Sequence, residues 1–168
     1  MALTVRQRVG RERLRFLDAV RSKAGTLYKW NANGPLYFDC SGLVIWGLRH
    51  TTRFAKIPDM NTDGLRHYFR ACETHWEDAQ PGSIVLYGPS RTDMDHVMIL
   101  NWRWGPGRYG LIGMCSGGGG TNSLEVAYGQ DARMKTPRGS YMARRRQSVL
   151  DPFHMLEVEH FFSGGPHA

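Results

Sequence analysis

Phe38-Asp39-Cys40-Ser41-Gly42-Leu43-Val44-Ile45-Trp46 is the stretch on which the reading of this 168-residue chain turns. An Asp just ahead of an apolar run stands where a helix N-cap belongs, so Cys40 falls in the first turn of a helix. A thiol in that position feels the positive end of the helix dipole and unpaired backbone N–H groups, which lower its pKa and raise the thiolate fraction. Position alone leaves two readings open: a nucleophile, or a small buried hydrophobe, the commoner fate of a free cysteine.

Upstream of this stretch, Val5, Val9, Phe16, Leu17 and Val20 recur at helical spacing with arginines between them, which predicts an amphipathic helix over about residues 3–22, ended near Gly25. Trp30 to Gly34 reads as loop, and a third helix is expected from about Thr62 to Cys72 after the break at Pro58. Beyond Pro81-Gly82 the texture changes to short runs, Ser83–Tyr87, His96–Trp102, Tyr109–Met114 and Met155–Phe162, separated by Gly, Pro or Asp and read as antiparallel strands. Helices first and strands afterwards predict an α+β domain, with N-terminal helices packed on a central antiparallel sheet.

A thiol nucleophile needs a base, usually a His distant in sequence. Of seven histidines, His96 opens the run His96-Val97-Met98-Ile99-Leu100, at the first position of a central strand and beside a polar turn with Asp93 and Asp95. The alternative for it is a hydrogen-bonded edge histidine.

Composition bounds these readings. At 168 residues and 41% apolar, one domain spanning residues 1–168 is expected, too rich in core formers for a disordered chain. The longest nearly unbroken apolar run, Leu43 to Leu48, is far below the ~18 residues that read as a membrane span. The N-terminal arginines lack the apolar segment of a secretory signal, and Glu12 and Asp18 favour an ordinary first helix over a transit peptide. Cys40, Cys72 and Cys115 cannot all pair within the chain and are expected to be reduced. The formal charge of +7 implies attraction to a polyanion, whether nucleic acid, membrane surface or cell wall. No helix-turn-helix, zinc-finger or RNA-recognition signature accompanies it, so a nucleic-acid-binding role is the weaker reading.

Taken together, Gly25-Thr26-Leu27-Tyr28-Lys29-Trp30, then Phe38-Asp39-Cys40-Ser41-Gly42-Leu43-Val44, then Gln80-Pro81-Gly82-Ser83-Ile84-Val85, then Asp95-His96-Val97 resemble the NlpC-type cysteine peptidases of bacterial cell walls, in order and approximate spacing. The resemblance covers residues 20–115, and the later Gly-rich loop and Asp151-Pro152-Phe153 look similar to phage-encoded members. It implies a papain-like α+β core in which Cys40 attacks a peptide carbonyl and His96 takes and returns the proton. It also implies that Tyr28, Asp39 and Ser41 line the substrate site, with the Tyr28 hydroxyl near the oxyanion.

Such families usually carry a third polar residue on the strand after the His strand, whereas here Leu111-Ile112-Gly113-Met114-Cys115-Ser116 puts Gly113 or Met114 at that place. Orientation of the imidazole then falls to Ser116, Asn122, a backbone carbonyl or water. Ser83 likewise replaces the acidic residue common after the Pro-Gly pair.

Other motifs lead nowhere. Gly117–Gly120 lacks a following Gly-Lys-Ser/Thr, so a flexible loop is expected and not a phosphate site. His154, Glu157, Glu159 and His160 lack the spacing of a metal site, so no metal or cofactor is expected. Arg144-Arg145-Arg146 reads as a solvated patch.

The activity the resemblance implies is peptidoglycan hydrolysis by a thiol endopeptidase, cutting stem peptides beside a γ-D-glutamyl residue, or else by an amidase. The partners are then the stem peptide and the anionic wall surface. The alternatives are a phage tail or structural component that keeps the fold without turnover, and a thiol acyltransferase. Without an export signal, the expectation is storage in the cytoplasm until release, or carriage on a phage particle.

Overall fold

A computed structural model describes residues 3–105, 107–115, 123–137 and 142–154. The first helix, α1 (Val5–Arg21), begins as its sequence predicts. Thr4 caps it, accepting from the Gln7 amide at 3.3 Å while the Gln7 side chain accepts from the Thr4 amide at 2.9 Å, a reciprocal capping box. Val9, Phe16, Leu17 and Val20 form its buried stripe, and the arginines face outward or sideways.

The second helix, α2 (Cys40–Arg49), is buried along most of its length and lies against α1. Gly47 makes that approach possible: a Cβ there would stand 2.6 Å from Val20 Cγ2 and 2.7 Å from Phe16 Cε2. The third helix, α3 (Thr62–Tyr68), is shorter than expected, because the chain passes at Phe69 into a separate 3₁₀ turn, Arg70–Cys72. Phe69 and Cys72 are both buried, so the apolar spacing that suggests one helix is met by two short ones.

The strands β1 (Ile84–Tyr87), β2 (His96–Gly105), β3 (Arg108–Cys115), β4 (Arg133–Lys135) and β5 (Arg146–Leu150) form one antiparallel sheet in the order β4-β3-β2-β1-β5. A short helix, α4 (Leu124–Gly129), precedes β4. Alternation along the strands sorts two faces. Ile84, Leu86, Val97, Ile99, Ile112 and Met114 join the helices in the main core, while Val85, Tyr87, Met98, Leu100 and Leu111 pack in a second cluster on the far side. This is the α+β arrangement expected of the sequence.

Two strands, β4 and β5, are not among those the sequence predicts. The edge beside β1 is filled by Arg146–Leu150, and the expected Met155–Phe162 strand lies outside the described residues. The Arg144–Arg146 run is also not simply solvated: Arg145 pairs with Asp95, and the Arg146 guanidinium lies 3.9 Å from the centroid of the Trp76 ring. A strand that opens on arginine is masked in the sequence, because these side chains are held by an aromatic ring and a carboxylate and not by apolar packing. Among the described residues, no helix is long and apolar enough to cross a membrane.

Candidate active site

The site is built around the start of α2. The Asp39 carboxylate caps the helix, its Oδ1 accepting from the Gly42 amide at 2.6 Å and from Ser41 Oγ at 3.1 Å. The loop before it folds back on this first turn, with the Asp39 amide donating to the Ala32 carbonyl at 2.8 Å. Gly42 permits the fit, since a Cβ there would collide with that same carbonyl. Cys40 is thereby held at the helix start with only 7% of its surface exposed.

Three further elements converge on the thiol. Tyr28, whose amide donates to the Ala132 carbonyl at 2.9 Å, is buried beside Cys40 and Asp39. Burial raises the pKa of its phenol above the ordinary value, and the neighbouring Cys40 and Asp39 add to the rise, so the hydroxyl stays protonated. From the sheet, the Val97 amide is directed at the Cys40 sulfur, which brings the strand start carrying His96 against α2. The third is α3: Thr62 Oγ1 donates to the Met94 carbonyl, and the Met94 amide donates to Asp63 Oδ1 at 2.9 Å, tying the helix start to the turn that leads into His96.

Between these elements opens a cleft of about 450 Å³, lined by Asp39, Cys40 and Ser41 and, among others, by Asp59, Asn61 and Asp95. No described Lys or Arg lines it. The arrangement therefore offers a sulfur nucleophile, backbone N–H groups at a helix start and a negatively charged rim.

The protonation states differ from the sequence expectation. Burial pushes the Cys40 thiol up to about 12, with Asp39 adding to the rise and the amides of Val97, Ser41 and Cys40 itself opposing it. The helix start does act in the predicted direction, but desolvation of the charged form is the larger effect. Burial likewise pulls His96 down to about 4, with Asp95 working against that shift and Arg145 with it. The two groups are thus a neutral thiol and a neutral imidazole, not a preformed ion pair. Burial also raises the Asp39 carboxyl above the usual range, offset in part by the Gly42 amide and Ser41 hydroxyl.

Of the residues singled out in the sequence, Tyr28, Asp39, Cys40, Ser41 and the His96 strand start are brought together. Ser116 and Asn122, the candidates for orienting the imidazole, lie outside the described residues. Of the suggested metal cluster only His154 is described, and no metal-holding group of three or more His, Cys, Asp or Glu occurs among the described residues. Asp59 and Asn61 were not legible as site residues. Asn61 announces itself only as the cap of α3, and nothing local says that α3 starts beside Cys40.

The NlpC/P60 family model matches residues 25–150. Two Corynebacterium glutamicum proteins, both named probable endopeptidase, are 57% identical over 85 residues, which is 51% of this chain and 37% and 36% of theirs. The chain thus spans little more than a third of the length of these relatives. Among solved structures, NlpC1 from Trichomonas vaginalis superposes with a TM-score of 0.53 at 20% identity, over 82% of this chain and 43% of that one. The NlpC/p60 domain of the peptidoglycan hydrolase SagA superposes with a TM-score of 0.55 at 17% identity, over 83% of this chain and 97% of that domain. Identities this low establish a common fold and no more. The family model, by contrast, runs from the loop before Tyr28 to the end of β5 and takes in the whole Cys40 cleft: the chain belongs to the NlpC/P60 family.

Proposed function

We propose that this protein is a cysteine peptidase of bacterial cell walls, an endopeptidase that cuts the stem peptide beside its γ-D-glutamyl residue. The observation that carries the reading is the position of Cys40, at a capped helix start on the wall of a carboxylate-rimmed cleft with Tyr28 and the His96 strand beside it. The names of the Corynebacterium relatives and of SagA support the same class.

In the proposed reaction His96 takes the Cys40 proton as the sulfur attacks the scissile carbonyl carbon, so thiolate is generated at the moment of attack and not stored. The developing oxyanion is met by N–H groups at the start of α2 and by the protonated Tyr28 hydroxyl. The imidazolium then protonates the leaving amine, the C–N bond breaks, and an acyl-thioester remains on Cys40. Water, deprotonated by His96, releases the acyl group and restores the thiol. Asp39 and Asp59 give the cleft a negative field that favours the ammonium end of a short stem peptide. Tyr28, Asp39 and Ser41 are the proposed substrate contacts, and the chain's charge of +7 supports attraction to the anionic wall around it.

The test is digestion of purified walls followed by mass spectrometry of the fragments. New free amines on the diamino-acid residue are expected, with no free lactyl group on muramic acid. Release of intact stems would identify an amidase instead. Cys40→Ser should abolish release with the fold retained, and His96→Ala should reduce it by about 10² to 10⁴. Undiminished activity in either variant would overturn the assignment.

A further inference from the structure

The end of β1 carries a connection that the proposed chemistry does not use. Tyr87 pairs on one side with His96 of β2 and on the other with Arg146 of β5. The residues just before these two partners, Asp95 and Arg145, reach each other in an ion pair across the end of the strand between them. The backbone supports both ends. The Asp95 amide donates to the Tyr87 carbonyl at 3.0 Å, and the Gly88 amide donates to the Arg145 carbonyl at 3.0 Å. The Gln147 side chain adds a bond to the Gly88 carbonyl at 3.1 Å. Asp95 in turn lines the cleft that holds Cys40.

We propose that Arg145 is a positioning residue for His96: by holding Asp95 across the end of β1, it fixes the lead-in to the imidazole and keeps the neighbouring carboxylate neutralised. This rests on the peptidase reading for its consequence but not for its geometry. Among the described residues, several elements bring groups up to His96. Its own lead-in supplies Asp95, β1 the Tyr87 ring with centroids 6.0 Å apart, and the segment before β5 Arg145. From the helical side come Cys40, whose sulfur faces the next residue's amide, and behind it Asp39 and Tyr28; β3 ends at Cys115. Of these, Asp95 and Arg145 act on the imidazole with opposite sign, the carboxylate favouring the imidazolium and the guanidinium disfavouring it. A base that must be neutral to accept the Cys40 proton is therefore protected by Arg145 from the carboxylate next to it. Both ion-paired side chains are about half exposed, so the pair contributes little to stability and its role is local.

The experiment is an NMR titration of His96 in the full chain, run on wild type and on Arg145→Met, Arg145→Gln, Arg145→Lys and Asp95→Asn, with melting temperatures and the pH dependence of kcat/KM on wall fragments alongside. Wild-type His96 is expected near 4. Arg145→Met and Arg145→Gln, which expose the imidazole to an unpaired Asp95, should raise it by about one unit, and the acid limb of kcat/KM should rise with it. Arg145→Lys should stay close to wild type. Asp95→Asn breaks the same ion pair but removes the carboxylate, and should raise nothing. A merely structural connection would make Arg145→Met and Asp95→Asn behave alike, and that result overturns the proposal, as does an unchanged His96 in both Arg145→Met and Arg145→Gln. Inactivity of the wild-type protein on every wall type would instead sink the peptidase reading, while the titration would still decide the role of Arg145.

Discussion

At the scale of single residues, the neutrality of the Cys40–His96 pair sets what can be measured. A thiol pushed up to about 12 carries thiolate that increases tenfold per pH unit throughout the neutral range. Alkylation of Cys40 by iodoacetamide should therefore climb without a plateau between about pH 6 and 9, followed by mass mapping, whereas a plateau near neutrality would reveal an ion pair. His96 gives a second prediction, in stability. Above pH 6.5, its ordinary value, neither the folded nor the unfolded chain holds the proton. Between there and about 4 the unfolded chain binds it and the folded chain does not, so stability falls as pH falls; below that the loss is complete. The decline amounts to ~3 kcal/mol at most. Asp39, whose carboxyl is raised, acts oppositely just above its ordinary 3.8, returning some stability at the acid end. Urea midpoints measured from pH 7.5 to 4.5 should show the decline in wild type and a flatter profile in His96→Gln.

At the scale of elements, the crossing of α1 and α2 is what puts the Cys40 end of its helix at the cleft. Gly47 lies at that crossing against Phe16 and Val20. Gly47→Ala would gain about 1 kcal/mol of helix propensity on an open surface, but here its methyl group meets two buried side chains on a packed helix. Net destabilisation of about 1–3 kcal/mol is expected from overpacking, read as a lower denaturation midpoint. An unchanged or higher midpoint would mean that the two helices can separate at little cost.

At the scale of the whole molecule, the two ends of the described chain are joined by one charged contact. Arg13 of α1 pairs with Asp151, just past β5, at 2.9 Å, and also donates to the Pro81 carbonyl at 3.0 Å. Its guanidinium lies 5.1 Å from the centroid of the Phe153 ring, which itself packs on Phe16. Asp151 is only 6% exposed, so removing Arg13 leaves a buried carboxylate whose remaining described partner is the Phe153 amide. Arg13→Met should cost about 3–5 kcal/mol in thermal or urea unfolding, far more than an exposed pair such as Arg21–Asp18, which is worth under about 1 kcal/mol.

Elements whose signals are local are legible in the sequence. The apolar stripe marks α1, Asp39 before an apolar run marks α2, and the short runs after Pro81-Gly82 mark β1 to β3. The sequence also marks Cys40, Tyr28, Asp39, Ser41 and His96 as belonging together, because their order along the chain resembles a known family. The rest depends on long-range packing. β5 opens on Arg146, a residue that reads as solvent-facing until Trp76 is found beneath it. Asp59 and Asn61 reach the cleft because α3 is tied to the turn before His96, a contact between residues about thirty positions apart. The protonation of Cys40 depends on packing too: a helix start can be read from neighbouring residues, whereas burial depends on every element packed around the sulfur, and at this site burial is the stronger effect.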